Sequence, residues 1–231
     1  MNQKPELKTG EFILNGKYRI LNLIGEGGMA RVWLAEELTF GGRQVAFKEP
    51  RGGLLPEDTA EIRRRFQQEI RLAAQMMNAQ VPNIVPAWTV ELHEGAALLV
   101  MAYMPGGSLA DLLEEHPQGL PVEQAAQIAQ DLLQALAALH DLPGEPVHRD
   151  VKPSNALFDD RGRAHLADFG LAQLAGVSGR SRLAGSSHPA TPMYAAPEQL
   201  RSPDPLMPAA DMLALGCVLF EMLTGKRYKR V

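Results

Sequence analysis

The stretch His148-Arg149-Asp150-Val151-Lys152-Pro153-Ser154-Asn155, followed by Asp168-Phe169-Gly170 and by Ala196-Pro197-Glu198, lies in a loop-rich region between His140 and residue 208. Regular patterns flank it on both sides. Upstream, Pro121 opens a long helix that carries Ile128, Leu132, Leu136 and Leu139 on one side and ends at His140. Downstream, residues 209–223 are apolar nearly all round, the mark of a helix buried in the middle of something. Nearer the N-terminus, strand-like runs at 84–90 and 97–103 precede a break at Pro105-Gly106-Gly107. Before them, Pro56-Glu57-Asp58 opens a helix with proline in its first turn and acids at the positive end of the dipole. Its expected apolar stripe is Ile62, Phe66, Ile70, Ala73 and Met77. Short β-like runs at 18–24, 32–36 and 44–48 are separated by glycine clusters, and residues 1–16 read as a loose polar lead-in. The layout is a mostly β region, a Pro-Gly-Gly break, and a mostly α region.

Composition bounds the rest. A length of 231 residues allows one large domain or two small lobes, at a prior of roughly 150 residues per domain. With 27 acidic and 23 basic residues the net charge is -4, which argues against a general nucleic-acid or anionic-membrane binder. At 45% hydrophobic and 22% charged, the chain has material for a sizeable core. The single cysteine, Cys217, makes no internal disulfide. The first residues contain no apolar run fit for a signal peptide, and no run is long enough to span a membrane. A cytoplasmic location is the expectation. The histidines show no metal-ligand spacing, so no zinc site is expected.

Three features toward the N-terminus acquire chemical meaning only in company. In Ile24-Gly25-Glu26-Gly27-Gly28-Met29-Ala30-Arg31-Val32, glycines at a strand–turn–strand corner let backbone N–H groups approach phosphate oxygens without Cβ atoms in the way. The plain reading is a glycine-rich hairpin turn. A dinucleotide-type glycine loop would lead into a helix, whereas Val32-Trp33-Leu34 reads as another strand. Val45-Ala46-Phe47-Lys48 ends an apolar strand on a lysine, which by itself reads as a snorkelling edge residue. Glu69, on the following helix, could pair with Lys48 or could be an ordinary surface glutamate.

Taken together, these segments resemble the eukaryotic-type protein kinase family, in its serine/threonine branch as found in bacteria. The motifs fall in the family's order from Gly25 to Gly225. The fold class implied is α+β: a bilobal protein-kinase-like fold with an antiparallel β N-lobe (17–104) carrying one main helix, and a mostly α C-lobe (105–231).

The resemblance implies an ATP-dependent protein kinase that transfers the γ-phosphate of Mg-ATP to Ser or Thr hydroxyls of proteins, itself included, with Mg²⁺ or Mn²⁺ as the metal. Phosphoryl transfer spreads charge over phosphate oxygens, so such a site positions and neutralises. Lys48, held by Glu69, would bind the α- and β-phosphates. Asp168 and Asn155 would hold the metal. Asp150 would orient the acceptor hydroxyl and take its proton late, and Lys152 would neutralise the γ-phosphate. Ile24, Val32, Ala46 and Leu157 would sandwich the adenine, with Met101 behind it, Ala102 and Met104 offering backbone, and Gly25, Gly27 and Gly28 over the phosphates. Arg149 implies control by phosphorylation between Asp168 and Glu198, where Ser178, Ser181, Ser186, Ser187 and Thr191 are the candidates. His148, Phe169, Gly170, Glu198 and Asp211 are implied as structural, with Asp211 bracing the catalytic-loop backbone.

The departures are few. Ala30 stands where the family has a third glycine. The resemblance implies further helices after Gly225, so the C-lobe is expected to lack its last helices and to leave apolar surface of the 212–223 segment uncovered for a partner or a second copy. That surface motivates the alternative reading, a non-catalytic nucleotide-binding or scaffold module of pseudokinase-like character. A third reading, a small-molecule phosphotransferase, is disfavoured by Ala196-Pro197-Glu198 and the Thr191-Pro192-Met193-Tyr194 stretch before it.

Overall fold

The short β-like runs from Tyr18 onward, separated by glycine-rich corners, pair into one antiparallel sheet. Its strands are β1 (Phe12–Ile13), β2 (Tyr18–Glu26), β3 (Ala30–Glu37), β4 (Arg43–Pro50), β5 (Ala87–His93) and β6 (Ala96–Ala102), in the order β1-β2-β3-β4-β6-β5. The computed structural model describes residues 7–27, 30–50, 56–93, 96–169, 193–201 and 207–228, without the side chains of 40, 56–66, 96, 200 and 201. The chain divides into two compact units, one of Met1–Met77 with Pro86–Tyr103, the other of Asn78–Val85 with Met104–Val231.

In the first unit, period-two alternation sends Trp33, Ala35, Val45, Phe47, Leu98 and Val100 to one face of the sheet, where they form its core. Tyr18 and Phe47 meet edge to face there, with ring centroids 4.8 Å apart. Part of the 1–16 segment expected as a loose lead-in contributes to this core. Leu7 and Ile13 are buried in it, and β1 is tied to β2 by Gly10 N–H donating to Ile20 O and Ile20 N–H donating to Glu11 O. Leu7 stands alone among polar residues and Ile13 lies in a run of only three apolar residues, so neither carries a readable period and the packed structure reveals them.

Helix α1 (Pro56–Ala79) forms as expected but is turned relative to the stripe expected for it. Among its described side chains, Glu69, Leu72, Ala73 and Met76 are buried, while Met77 is 45% exposed. The ion pair of Glu69 with Lys48 accounts for the rotation, since the glutamate must face β4. Ile62 and Phe66 lie outside the described side chains. The strand expected at 84–90 is also displaced. Pro86 has no N–H to give a ladder, β5 starts after it, and Ile84 and Val85 pair instead with Leu166 in the second unit.

The second unit contains α2 (Leu109–Glu115), α3 (Val122–His140), β7 (Ala156–Phe158), β8 (Ala164–Leu166), α4 (Pro197–Arg201) and α5 (Ala209–Thr224). Helix α2 begins with a capping box: Ser108 Oγ accepts the Asp111 N–H at 3.2 Å and Asp111 Oδ2 accepts the Ser108 N–H at 2.8 Å. The Ser108 hydroxyl and amide hold the Asp111 carboxyl below its ordinary range. Helix α3 buries the expected Ile128, Leu132, Leu136 and Leu139 and packs on β8 and α5. Asp131, on the same buried face, accepts from Arg163 Nε at 3.0 Å and from the Ala164 N–H at 3.0 Å, which fixes the β7–β8 hairpin to α3. Helix α5 buries Ala214, Leu215, Val218 and Met222 on one side, and Met212, Leu213, Phe220 and Leu223 are 40–45% exposed on the other. No helix among the described residues is long and apolar enough to cross a membrane.

The end of α5 lies against the turn after α2. Leu120 N–H donates to Met222 O at 2.6 Å, and Gly225 has a φ of +65°. A Cβ on Gly225 would sit 2.1 Å from the Pro117 carbonyl oxygen, a collision with backbone that no rotamer relieves. Gly162 has a similar φ of +74° with nothing near its Cβ position. Gly162→Ala should therefore cost only the left-handed backbone strain, about 1 kcal/mol. Gly225→Ala should cost about 3 kcal/mol or more. Thermal unfolding of the two variants checks this, and equal shifts would contradict the packing of α5 on the α2 turn.

Candidate active site

Four of the candidate residues of the first unit, Val32, Ala46, Lys48 and Met101, share the sheet face opposite the core. Val32 is the register partner of Lys48, and Ala46 of Met101, so all four side chains leave the sheet on one side. Lys48 is buried, with its Nζ 2.5 Å from Glu69 Oε1, and Glu69 is buried as well. An ammonium and a carboxylate taken out of water are each costly alone, and each makes the other's burial tolerable. The β2–β3 corner is closed by Gly27 N–H donating to Ala30 O at 2.9 Å. A Cβ on Gly25 or Gly27 would meet nothing closer than 3.6 Å, so the fold itself does not demand glycine at either position. Ile24 is exposed beside them. Ala102 N–H donates to Pro86 O at 2.8 Å, so that amide is engaged within the unit.

The second unit builds its part of the site on Asp211. This carboxylate is 1% exposed and lies in the first turn of α5, where the helix dipole favours an anion. Oδ2 accepts the His148 N–H at 2.7 Å and Oδ1 the Arg149 N–H at 2.8 Å, and His140 Nε2 lies 2.8 Å from Oδ2. Arg149 is thereby held at a φ of +73°, a left-handed conformation that costs a non-glycine residue about 1 kcal/mol or more. The His148 ring is completely buried. Its Nδ1 accepts the Asp150 N–H at 3.3 Å, which puts the ring proton on Nε2, 3.1 Å from Ala167 O. The ring also meets Phe169 at a centroid distance of 4.8 Å.

Two donors converge on Asp150. Lys152 Nζ is 2.6 Å from Oδ2, and Asn155 Nδ2 donates to Oδ2 at 3.1 Å and to the Asp150 carbonyl at 2.8 Å. With Nδ2 so used, the oxygen of the Asn155 amide is the atom it could offer to a cation. Ala167 N–H donates to Asn155 O at 2.8 Å, and the next residue, Asp168, turns out at a φ of +65° with its side chain exposed. An amide oxygen and a carboxylate are hard donors, and that chemistry fits a divalent metal of the Mg²⁺ type.

Of the other expected site residues, Met104 and Leu157 lie half-buried in the second unit, and Glu198 is exposed. Gly28, Gly170, Ser178, Ser181, Ser186, Ser187 and Thr191 lie outside the described residues. Sequence reasoning missed His140, whose partner is 71 positions away, and Gln199, which donates to Arg149 O at 2.9 Å. It also missed the buried pair of Tyr194 and Glu221, joined at 2.6 Å from Oη to Oε2. Burial, with the Glu221 hydrogen bond, pushes the Tyr194 phenol above its ordinary range, so it remains a donor. Beside Lys152 a groove of about 1020 Å³ opens, lined among others by Leu113, Met193, Phe220, Glu221 and Tyr228.

Comparison with known proteins adds a family match: the profile described as "Protein kinase domain" covers residues 18–230. The serine/threonine-protein kinase PrkC of Bacillus subtilis is 34% identical over 216 residues, covering 92% of this chain and 31% of its own length. The probable serine/threonine-protein kinase PknB of Lactococcus lactis is 32% identical over 217 residues, covering 93% of this chain and 32% of its own. Mitogen-activated protein kinase kinase kinase 5 of Arabidopsis thaliana is 34% identical over 225 residues, at 95% and 30% coverage. The chain thus spans about a third of the length of these curated relatives.

The buried ion pair yields a stability prediction. Lys48→Met should destabilise the first unit by about 3–5 kcal/mol, because it strips that partner from the buried Glu69 carboxylate. Adding Glu69→Leu should recover a large part of the loss, since an apolar pair removes both desolvation costs. Denaturant unfolding of the singles and the double tests this; simple additivity would show that the two side chains do not depend on each other.

Proposed function

Because the chain belongs to the protein kinase domain family, we propose that it transfers the γ-phosphate of Mg-ATP to serine and threonine hydroxyls of proteins, its own included. Family membership supports ATP and divalent-metal use in general; the residue roles are the finer part of the reading. The observation that carries it is the convergence of Lys152 and Asn155 on Oδ2 of Asp150. That convergence sets the rotamer of a carboxylate on a rigid loop, as a residue orienting an acceptor hydroxyl requires.

In this reading Asp150 aligns the hydroxyl for attack and takes its proton late, and Lys152 balances the charge gathering on the transferred group. Lys48, kept in place by Glu69, binds the α- and β-phosphate oxygens. The absence of Cβ atoms at Gly25 and Gly27, at a corner where the fold would accept a side chain, would let phosphate oxygens come close to the backbone. Ile24, Val32, Ala46, Met101 and Leu157 supply apolar surface for the base. Asn155 and Asp168 would hold Mg²⁺, which neutralises phosphate charge when bound. The groove beside Lys152, about 1020 Å³ in volume, is where a segment of an acceptor protein would lie. Arg149 would pair with a phosphate placed on the segment after Asp168. A second reading, a nucleotide-binding scaffold without transfer, draws its support from the exposed apolar side of α5.

Intact-mass spectrometry after incubation with Mg-ATP separates the two. Phosphate additions are expected in the wild type and none in Asp150→Asn, which should still bind ATP because the substitution leaves Lys48 and Glu69 untouched. A folded, ATP-binding wild type that gains no phosphate on itself or on a general protein acceptor would favour the scaffold. Loss of ATP binding in Asp150→Asn would refute the role given to that residue.

A further inference from the structure

We infer that Gln199 is a positioning residue for Asp150, acting through the peptide group that joins Arg149 to Asp150. The inference rests on the reading of Asp150 as the residue that orients the acceptor hydroxyl.

That peptide group is held on both of its edges. Its carbonyl, on Arg149, accepts from Gln199 Nε2 at 2.9 Å, and its N–H, on Asp150, donates to His148 Nδ1 at 3.3 Å. The residue before it sits at a φ of +73°, a conformation that persists only where its surroundings over-determine it. Asp211 supplies one constraint by taking the His148 and Arg149 N–H groups. Gln199 supplies another from a different part of the chain, 50 positions away. Rotating the peptide plane would break the Gln199 bond and the His148 bond together, and would carry the Asp150 carboxylate off the two donors on its Oδ2.

The orientation of the Gln199 amide is set by its neighbours. Oε1 accepts the Ala196 N–H at 2.8 Å while Nε2 donates to a carbonyl. A flipped amide would face N–H with NH₂ and carbonyl with carbonyl, so one arrangement is chemically consistent. One side chain therefore grips the backbone of the Ala196-Pro197-Glu198 segment with its oxygen and the catalytic-loop backbone with its nitrogen. Any change in where Ala196 is placed reaches Asp150 through a single side chain and a single peptide plane.

Gln199→Glu and Gln199→Lys divide the two bonds. The glutamate can still accept from Ala196 but opposes the Arg149 carbonyl with an oxygen. The lysine can still donate to that carbonyl but accepts nothing from Ala196. In the full chain, Gln199→Glu is expected to lower kcat by about ten- to a hundredfold, the scale of a misplaced reacting group, with KM for Mg-ATP within about twofold. Amide hydrogen exchange at Asp150 should quicken by about tenfold, the loss of one hydrogen bond. Gln199→Lys should keep kcat within about threefold and keep Asp150 protected, even if its thermal midpoint falls as far. If Gln199→Glu does not fold, Gln199→Met takes its place with the same expectations. Unchanged kcat and Asp150 protection in the glutamate variant would overturn the proposal. So would equal loss in both variants in step with their thermal midpoints, which would mark a purely structural role. Should the wild type transfer no phosphate, the functional reading fails, and Asp150 exchange alone still decides whether Gln199 holds the peptide.

Discussion

The carboxylate of Asp211 is the point on which the second unit's site depends. Burying an ionised group costs several kcal/mol unless its oxygens are filled, and here His148 N–H, Arg149 N–H and His140 Nε2 fill them. The arrangement works in both directions. Two backbone N–H groups in a tight, buried turn have no strand or helix to pair with, and each would carry its own desolvation cost if left alone. One side chain in the first turn of α5 answers both and draws in the last residue of α3 as well. The left-handed Arg149 and the placement of His148 are tied to that anchor.

The first unit uses a different device. Its sheet sorts side chains by the two-residue period, so the core takes one face and Val32, Ala46, Lys48 and Met101 take the other. A buried lysine on that second face adds little to stability compared with an apolar residue of the same size. What the pair with Glu69 secures is location: the ammonium stays at one point, and α1 turns to meet it. Gly25 and Gly27 of the β2–β3 corner carry no Cβ where the fold would tolerate one. Both features make physical sense for a site that receives phosphate oxygens.

Helix α5 shows how an apolar element can carry polar function. Two of its buried residues are acids, Asp211 near its start and Glu221 near its end. Each is satisfied by groups distant in the chain, the backbone N–H groups of His148 and Arg149 in one case and the Tyr194 hydroxyl in the other. The helix is therefore a rod that spaces two buried acids, one under the His148–Arg149 turn and one beside the groove that Lys152 borders.

Much of this was legible in the chain itself. The helix from Val122 to His140, the helix from Ala209, the strands around Lys48 and the motif residues from His148 to Asp168 are signalled by short-range periodicity or by adjacent residue types. The sequence alone determined which residues of chemical interest exist, in what order, and on which kinds of element. Tertiary structure alone decided the buried face of α1, the recruitment of Leu7 and Ile13 into the core, and the left-handed turns at Arg149 and Asp168. It also decided the bond of Gln199 to Arg149 O and that of His140 to Asp211. The reason is physical: most of these features are set by apolar packing, single hydrogen bonds or ion pairs with residues elsewhere in the chain, and such partners leave no periodic trace in the local sequence.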